Sequence, residues 1–160
     1  MTDSSELDFR PATADDVDAI ERLQMDAIRH GTGDHYEAEA REAWAAAFNR
    51  EGFSEKVEKH DVWIAEVEGQ MRGYVSLDAA TQEVDSVYVA PEAAGQGIGR
   101  SLMEHILEVA REHRLANVWL DASKNSIPFY ESLGFVATDE VVRKPGGVVV
   151  RCTRMGRLVR

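Results

Sequence analysis

Gly95, Gly97 and Gly99 fall on alternate positions where a run of strand formers gives way to a helical pattern, and that arrangement can hold an anion. From Val84 to Val89, four of six residues are β-branched or aromatic, and Pro91 ends the strand because it has no N–H for a ladder. From Ile98 onward, Leu102, Ile106, Val109, Ala110 and His113 recur at helical spacing. Missing side chains let backbone N–H groups crowd towards one point, and the helix start adds unpaired donors and the positive end of its dipole. A phosphate is the usual occupant of such a cradle. A Walker loop would need Gly-Lys-Ser/Thr, whereas this turn ends Gly99-Arg100-Ser101, and a dinucleotide fingerprint needs a third glycine where Arg100 stands. The plainer alternative is a tight turn in which glycines only permit unusual backbone angles.

His30, His35 and Tyr36 form a second cluster at the flexible break Gly31-Thr32-Gly33. They either overhang a substrate or are turn residues, with Tyr36 packed on Trp44. Irregular spacing and the lack of a carboxylate or cysteine at ligand spacing argue against a metal. Cys152, the one cysteine, permits no internal disulfide and reads as a buried, inert thiol.

These residues need a scaffold, and the patterning supplies one. Leu7 to Arg10 is a short first strand stopped by Pro11; Thr13 and Asp16 are spaced as a helix cap, and Val17, Ile20, Leu23 and Ala27 line one helix face to about His30. A second helix runs from about Glu37, with Asn49 to Gly52 closing it. Val62 to Val67 and Met71 to Leu77 read as a hairpin turning at Glu68-Gly69-Gln70, and the Val84 strand extends it into a meander. The glycine-led helix, from about Gly97 to His113, crosses to a strand at Asn117 to Ala122, which favours parallel pairing. A short helix within Ser123 to Leu133 stops at Gly134. Two last strands, Phe135 to Val141 and Val148 to Thr153, turn at Lys144-Pro145-Gly146-Gly147, and the basic tail Arg154 to Arg160 reads as frayed or lightly docked.

With 160 residues, residues 1–160 are expected to form one domain. The net charge is −11, from 29 acidic against 18 basic residues, so nucleic acid is an unfavourable partner. The acids are spread along the chain, as on a solvated surface of the kind salt-adapted proteins carry; an acidic cleft for a cationic substrate is the alternative. No apolar run approaches a membrane span and no signal-peptide core is visible, so the expectation is a cytoplasmic protein without membrane contact.

The order of elements, the turn GQGIGR after VYVAPE, and SIPFYESLGF after the next strand together resemble the GCN5-related N-acetyltransferase superfamily, along essentially the whole chain. HYEAEAREAW and VDSVYVAP are further similar to a group of small, mostly uncharacterised prokaryotic acetyltransferases. The resemblance implies a mixed, mostly antiparallel sheet of six to seven strands flanked by helices. It also implies acetyl transfer from acetyl-coenzyme A to a primary amine of a small molecule or protein, by direct attack in a ternary complex, with no metal.

Carried over by position, the pyrophosphate motif falls on Ala94 to Gly99. The backbone of Gly95, Gln96, Gly97, Ile98, Gly99 and Arg100 would then hold acetyl-coenzyme A. Ala94 stands where the family often has glutamine or arginine, which removes a side chain and leaves the backbone cradle. Val87 and Val89 match positions whose backbone pairs with the pantetheine arm, while Ser123 and Ser126 are placed to touch it. Tyr130 matches the tyrosine that protonates the departing thiolate; a core tyrosine between Phe129 and Phe135 is the alternative. Asp85 is the candidate base, sharing a face with Val87 and Val89 under simple alternation. A bulge there would pass the task to Glu83 or Asp121. His35 and Tyr36 would line the acceptor side, and a homodimer is among the assemblies the family allows. The alternatives are a non-catalytic acyl-coenzyme A sensor and an enzyme using another acyl-coenzyme A.

Overall fold

The computed structural model describes residues 6–31 and 36–159. Its centre is a seven-stranded sheet of order β1-β2-β3-β4-β5-β7-β6. The strands are β1 (Leu7–Pro11), β2 (Asp61–Val67), β3 (Gln70–Asp78), β4 (Glu83–Val89), β5 (Asn117–Ser123), β6 (Val136–Arg143) and β7 (Val150–Leu158). Among the described residues five α-helices flank it: α1 (Val17–Gly31), α2 (Ala38–Ala45), α3 (Arg50–Lys59), α4 (Ile98–Glu112) and α5 (Ile127–Ser132). Every pairing is antiparallel except β4 with β5, the pair joined through α4. This is the expected mixed, mostly antiparallel architecture.

Neighbouring residues of β3 show how the layers divide. Tyr74 faces α1 and α3, where its hydroxyl meets Gln24 and its ring lies 5.7 Å from that of Phe53. Gly73 faces α4; a Cβ there would stand 2.9 Å from Leu102 Cδ1 and 2.8 Å from the Tyr88 carbonyl oxygen. Helix α4 buries Leu102, Met103, Ile106, Val109 and Ala110 against the sheet. That apolar stripe at helical spacing gives one long helix a fixed seat on β2, β3 and β4.

Two expectations are corrected. The segment after Ala45 does not simply close a helix: Asn49 opens a new one, its side-chain oxygen accepting from the Gly52 N–H at 3.1 Å. Asn is a favoured N-cap, and the cap starts α3. The last strand does not stop at Thr153 either: β7 continues to Leu158, Cys152 to Leu158 pair with β5, and the Val159 N–H bonds the Ala116 carbonyl at 3.0 Å, so of the two readings of the tail it is the docked one that holds through Val159.

Candidate active site

Strands β4 and β5 share one register pair, Glu83 with Trp119, and diverge beyond it. The join is pinned by the Trp119 N–H on the Gln82 carbonyl at 3.1 Å and the Trp119 indole on the Thr81 carbonyl at 2.9 Å. The divergence follows a bulge in β4: Val84 pairs with Leu77 and Ser86 with Ser76, leaving Asp85 as the extra residue. An extra residue bends a strand and increases its twist.

The resulting cleft, about 240 Å³, is lined by Asp85, Val87, Val89, Ser123, Ser126 and Tyr130, so six of the expected site residues meet in one place. Backbone groups of β4 line it too. The Ala90 N–H donates to the Arg72 carbonyl at 2.8 Å, spanning the Val89–Gly73 pair and marking it as a widely spaced one. By alternation Tyr88 and Ser86 spend their N–H and C=O groups on β3, and Val87 and Val89 turn theirs to the cleft.

The glycine turn adjoins this cleft through Gly99, where an added Cβ would lie 3.3 Å from Phe129 Cζ and 3.6 Å from Val89 Cγ2. Gly95 and Gly97 each have φ of +80°, and a Cβ on either would meet nothing within 4 Å, so the concave side of the turn is open. Gly97 is the N-cap of α4, a 15-residue helix whose first N–H groups have no partner within the helix. An open backbone cradle at a helix start fits a pyrophosphate. Ile98 is buried in the core, and Arg100 reaches the Ser132 hydroxyl at 3.5 Å.

Tyr130 is buried edge-on between Phe129, 5.0 Å away, and Phe135, 5.7 Å away. Burial pushes its phenol well above the usual range, and Tyr88 adds to this, so the proton stays on at neutral pH. Tyr88 is itself pushed up to about 12 by burial.

The carboxylates are arranged differently from the alternation reading. Because of the bulge, Asp85 faces away from α4: its Oδ2 lies 2.9 Å from Lys56 Nζ and 3.6 Å from His60 Nδ1, while its Oδ1 is buried without a partner. For Asp121 burial acts upward, but bonds from Arg154 and Arg143, each with Nε at 2.9 Å, outweigh it and hold the carboxyl below the usual range. Glu83 is raised by burial, and the opposing pull of Arg143, 3.4 Å away, does not cancel it; Asp85 and Asp121 add to the rise.

Four neighbours in the cleft had no assigned role. Asn125, which lines the cleft, donates to the Gly31 carbonyl at 2.9 Å and keeps a buried Oδ1 without a partner. Trp44 and Tyr88 wall it, and Cys152, opposite Ser123 in register, lines it as well. Burial raises the Cys152 thiol, which opposes the thiolate a covalent route would need. Only the Ser123-to-Tyr130 spacing could have drawn attention to Asn125 in advance. Ser123 and Ser126 bond each other, Oγ to Oγ at 3.0 Å.

Tyr36 does not line the cleft. Its hydroxyl donates to the Arg151 carbonyl and accepts from the Lys124 N–H, both at 3.0 Å, and its ring meets Trp44 edge-on. It ties the start of α2 to the ends of β5 and β7 and so props Trp44 into the cleft wall. His35 lies outside the described residues. Among the described residues no group of histidine, cysteine and carboxylate could hold a metal, and no helix is long and apolar enough to cross a membrane.

With this geometry in view, residues 32–155 match the acetyltransferase (GNAT) domain family. An uncharacterised N-acetyltransferase of Archaeoglobus fulgidus is 26% identical over 157 residues, covering 88% of this chain and 97% of that one. A GCN5-related N-acetyltransferase of Rhodopseudomonas palustris superposes with a TM-score of 0.90 at 26% identity, over 96% of both chains. The Salmonella typhimurium protein YncA, solved with its cofactor acetyl-CoA, superposes with a TM-score of 0.65 at 25% identity, over 98% of this chain and 95% of that one.

Proposed function

This chain belongs to the acetyltransferase (GNAT) domain family and is an acetyl-CoA-dependent N-acetyltransferase, and from that premise we propose how its residues divide the work on an amine acceptor. Acetyl-CoA supplies an activated acetyl group as a thioester. Gly95 to Arg100 would hold its pyrophosphate, the cleft-facing backbone of Val87 and Val89 its pantetheine arm, and Ser123, Ser126 and Asn125 the polar groups along that arm. A backbone N–H near Val87 stabilises the negative charge that develops on the thioester carbonyl.

Glu83 is the general base in this reading. It takes the proton of the attacking amine as the new N–C bond forms. Asp85 is occupied by Lys56 and Asp121 by two arginines, whereas Glu83 has Arg143 at 3.4 Å and burial raises its carboxyl above the ordinary glutamate range. Tyr130 gives its proton to the sulfur as the C–S bond breaks, and solvent restores it. The observation that carries the proposal is the splayed β4–β5 cleft, with free backbone on one wall and Tyr130 on the other.

Calorimetric titration with acetyl-CoA, followed by a coenzyme A release assay with amines, tests it. Binding that Gly97→Val abolishes, with Tyr130→Phe retaining affinity but losing about 10²-fold or more in kcat, is the expected result. Folded protein that does not bind acetyl-CoA would sink the assignment.

A further inference from the structure

The cleft opens into a second chamber of about 500 Å³ through shared walls at Trp44, Val84, Asp85, Tyr88, Asp121 and Cys152. Its other lining residues are Glu83 at the start of β4, Arg143 at the end of β6, Lys144 and Pro145 of the β6–β7 turn, and Val150 at the start of β7. That turn is seated on α2: a Cβ on Gly146 would lie 3.0 Å from the Ala43 carbonyl oxygen. The chamber is where an acceptor would approach the thioester, on the acetyltransferase reading above.

Its charges differ from those of the whole chain. Three carboxylates line it, Glu83, Asp85 and Asp121, and each already has a cation: Lys56 on Asp85 at 2.9 Å, Arg154 and Arg143 on Asp121, and Arg143 on Glu83 at 3.4 Å. Lys144 also lines the chamber, and among the described residues no acidic partner meets it. The balance is therefore neutral with one cation over, although the protein carries −11. A polycation would enter without surplus negative charge to balance it. Asp85, one of the lining residues, keeps a buried Oδ1 with no hydrogen-bond partner, an acceptor that an ammonium or amine N–H would satisfy.

We propose that the acceptor is an amine carrying its own anionic group, a carboxylate or a phosphate, seated with its nitrogen towards Glu83 and Asp85 and its anion towards Lys144.

The test is coenzyme A release from acetyl-CoA with matched acceptors that differ only in the anion: an amino acid against its amide, glucosamine 6-phosphate against glucosamine, with spermidine and a peptide amine alongside. The carboxylate and phosphate arms separate the two anions. The anionic member of a pair is expected to show kcat/KM about tenfold higher, or more, through KM, the size of one charge-assisted contact. Lys144→Glu should remove that difference and Lys144→Arg keep it. Preference for the neutral member, for spermidine or for the peptide would overturn the proposal, as would failure of every anionic amine with enzyme that binds acetyl-CoA. Acetyl-CoA binding, titrated on the same preparations, separates this outcome from failure of the acetyltransferase reading, in which the cofactor itself would not bind.

Discussion

Glu83 and Asp85 stand two residues apart on one strand, yet their surroundings differ. Lys56 holds Asp85 at 2.9 Å, while Glu83 is half-buried with a single, more distant arginine. A carboxyl whose folded pKa lies above its unfolded value stabilises the fold while protonated, and that contribution is lost as pH rises through the folded value. At neutral pH ionised Glu83 therefore weighs against the fold while serving the chemistry. Glu83→Gln is expected to lower kcat by about 10²-fold, to remove an acid limb lying above the ordinary glutamate range, and to leave Tm at pH 7 unchanged or higher. Asp85→Asn should do the reverse: the acid limb stays and Tm falls, because Lys56 loses its partner. pH–rate profiles and thermal melts of the two variants decide the assignment. Nothing in EVDSVYV announces which carboxylate faces which layer. The bulge that decides it arises from pairing with β3, a strand seven or more residues away in sequence.

Among the elements, α4 has two duties, packing the sheet and opening the anion cradle, and both depend on close approach. Gly73→Ala would press a methyl against the Tyr88 carbonyl at 2.8 Å and Leu102 at 2.9 Å, and one of those atoms is backbone that cannot rotate away. A loss of about 1–3 kcal/mol in urea unfolding is expected, with weaker acetyl-CoA binding because β4 must shift. On the same helix His105 is stacked on Phe9 at 4.5 Å and meets Trp63 edge-on at 4.4 Å, with its Nε2 buried and unpartnered. Burial lowers its pKa from 6.5, against the upward pull of Glu112 and Glu108. A lowered histidine supports the fold fully above its unfolded value, and that support declines as pH falls below it. Stability should drop from about pH 6.5 downward, and His105→Phe should flatten that part of the pH–stability curve. The length and apolar stripe of α4 were legible in the sequence. Helix α3 was not, because its polar sequence REGFSEKVEK buries only Phe53 and carries little periodic signal beside the Asn49 cap.

At the scale of the molecule, a net charge of −11 on 160 residues favours self-repulsion, and salt screens it. Thermal melts should show Tm rising from low to moderate ionic strength, and a Tm that falls with added salt would mean that ion pairs such as Arg10–Asp16 outweigh the repulsion. Mean acidity does not describe the site, where cations from α3, β6 and β7 converge on the carboxylates of β4 and β5. The sequence by itself determined the order of the strands and of every α-helix but α3, the glycine turn at a helix start, the parallel crossover and the placing of Tyr130 after β5, because hydrophobic period, proline, glycine and caps act locally. Only the tertiary structure decided that Cys152 stands beside Ser123, that Trp44 and Tyr88 wall the cleft, that Asp85 turns to Lys56, and that Arg154 of the basic tail grips Asp121. Each of these depends on strand register between distant segments, and a single bulge is enough to move a side chain to the other face of the sheet.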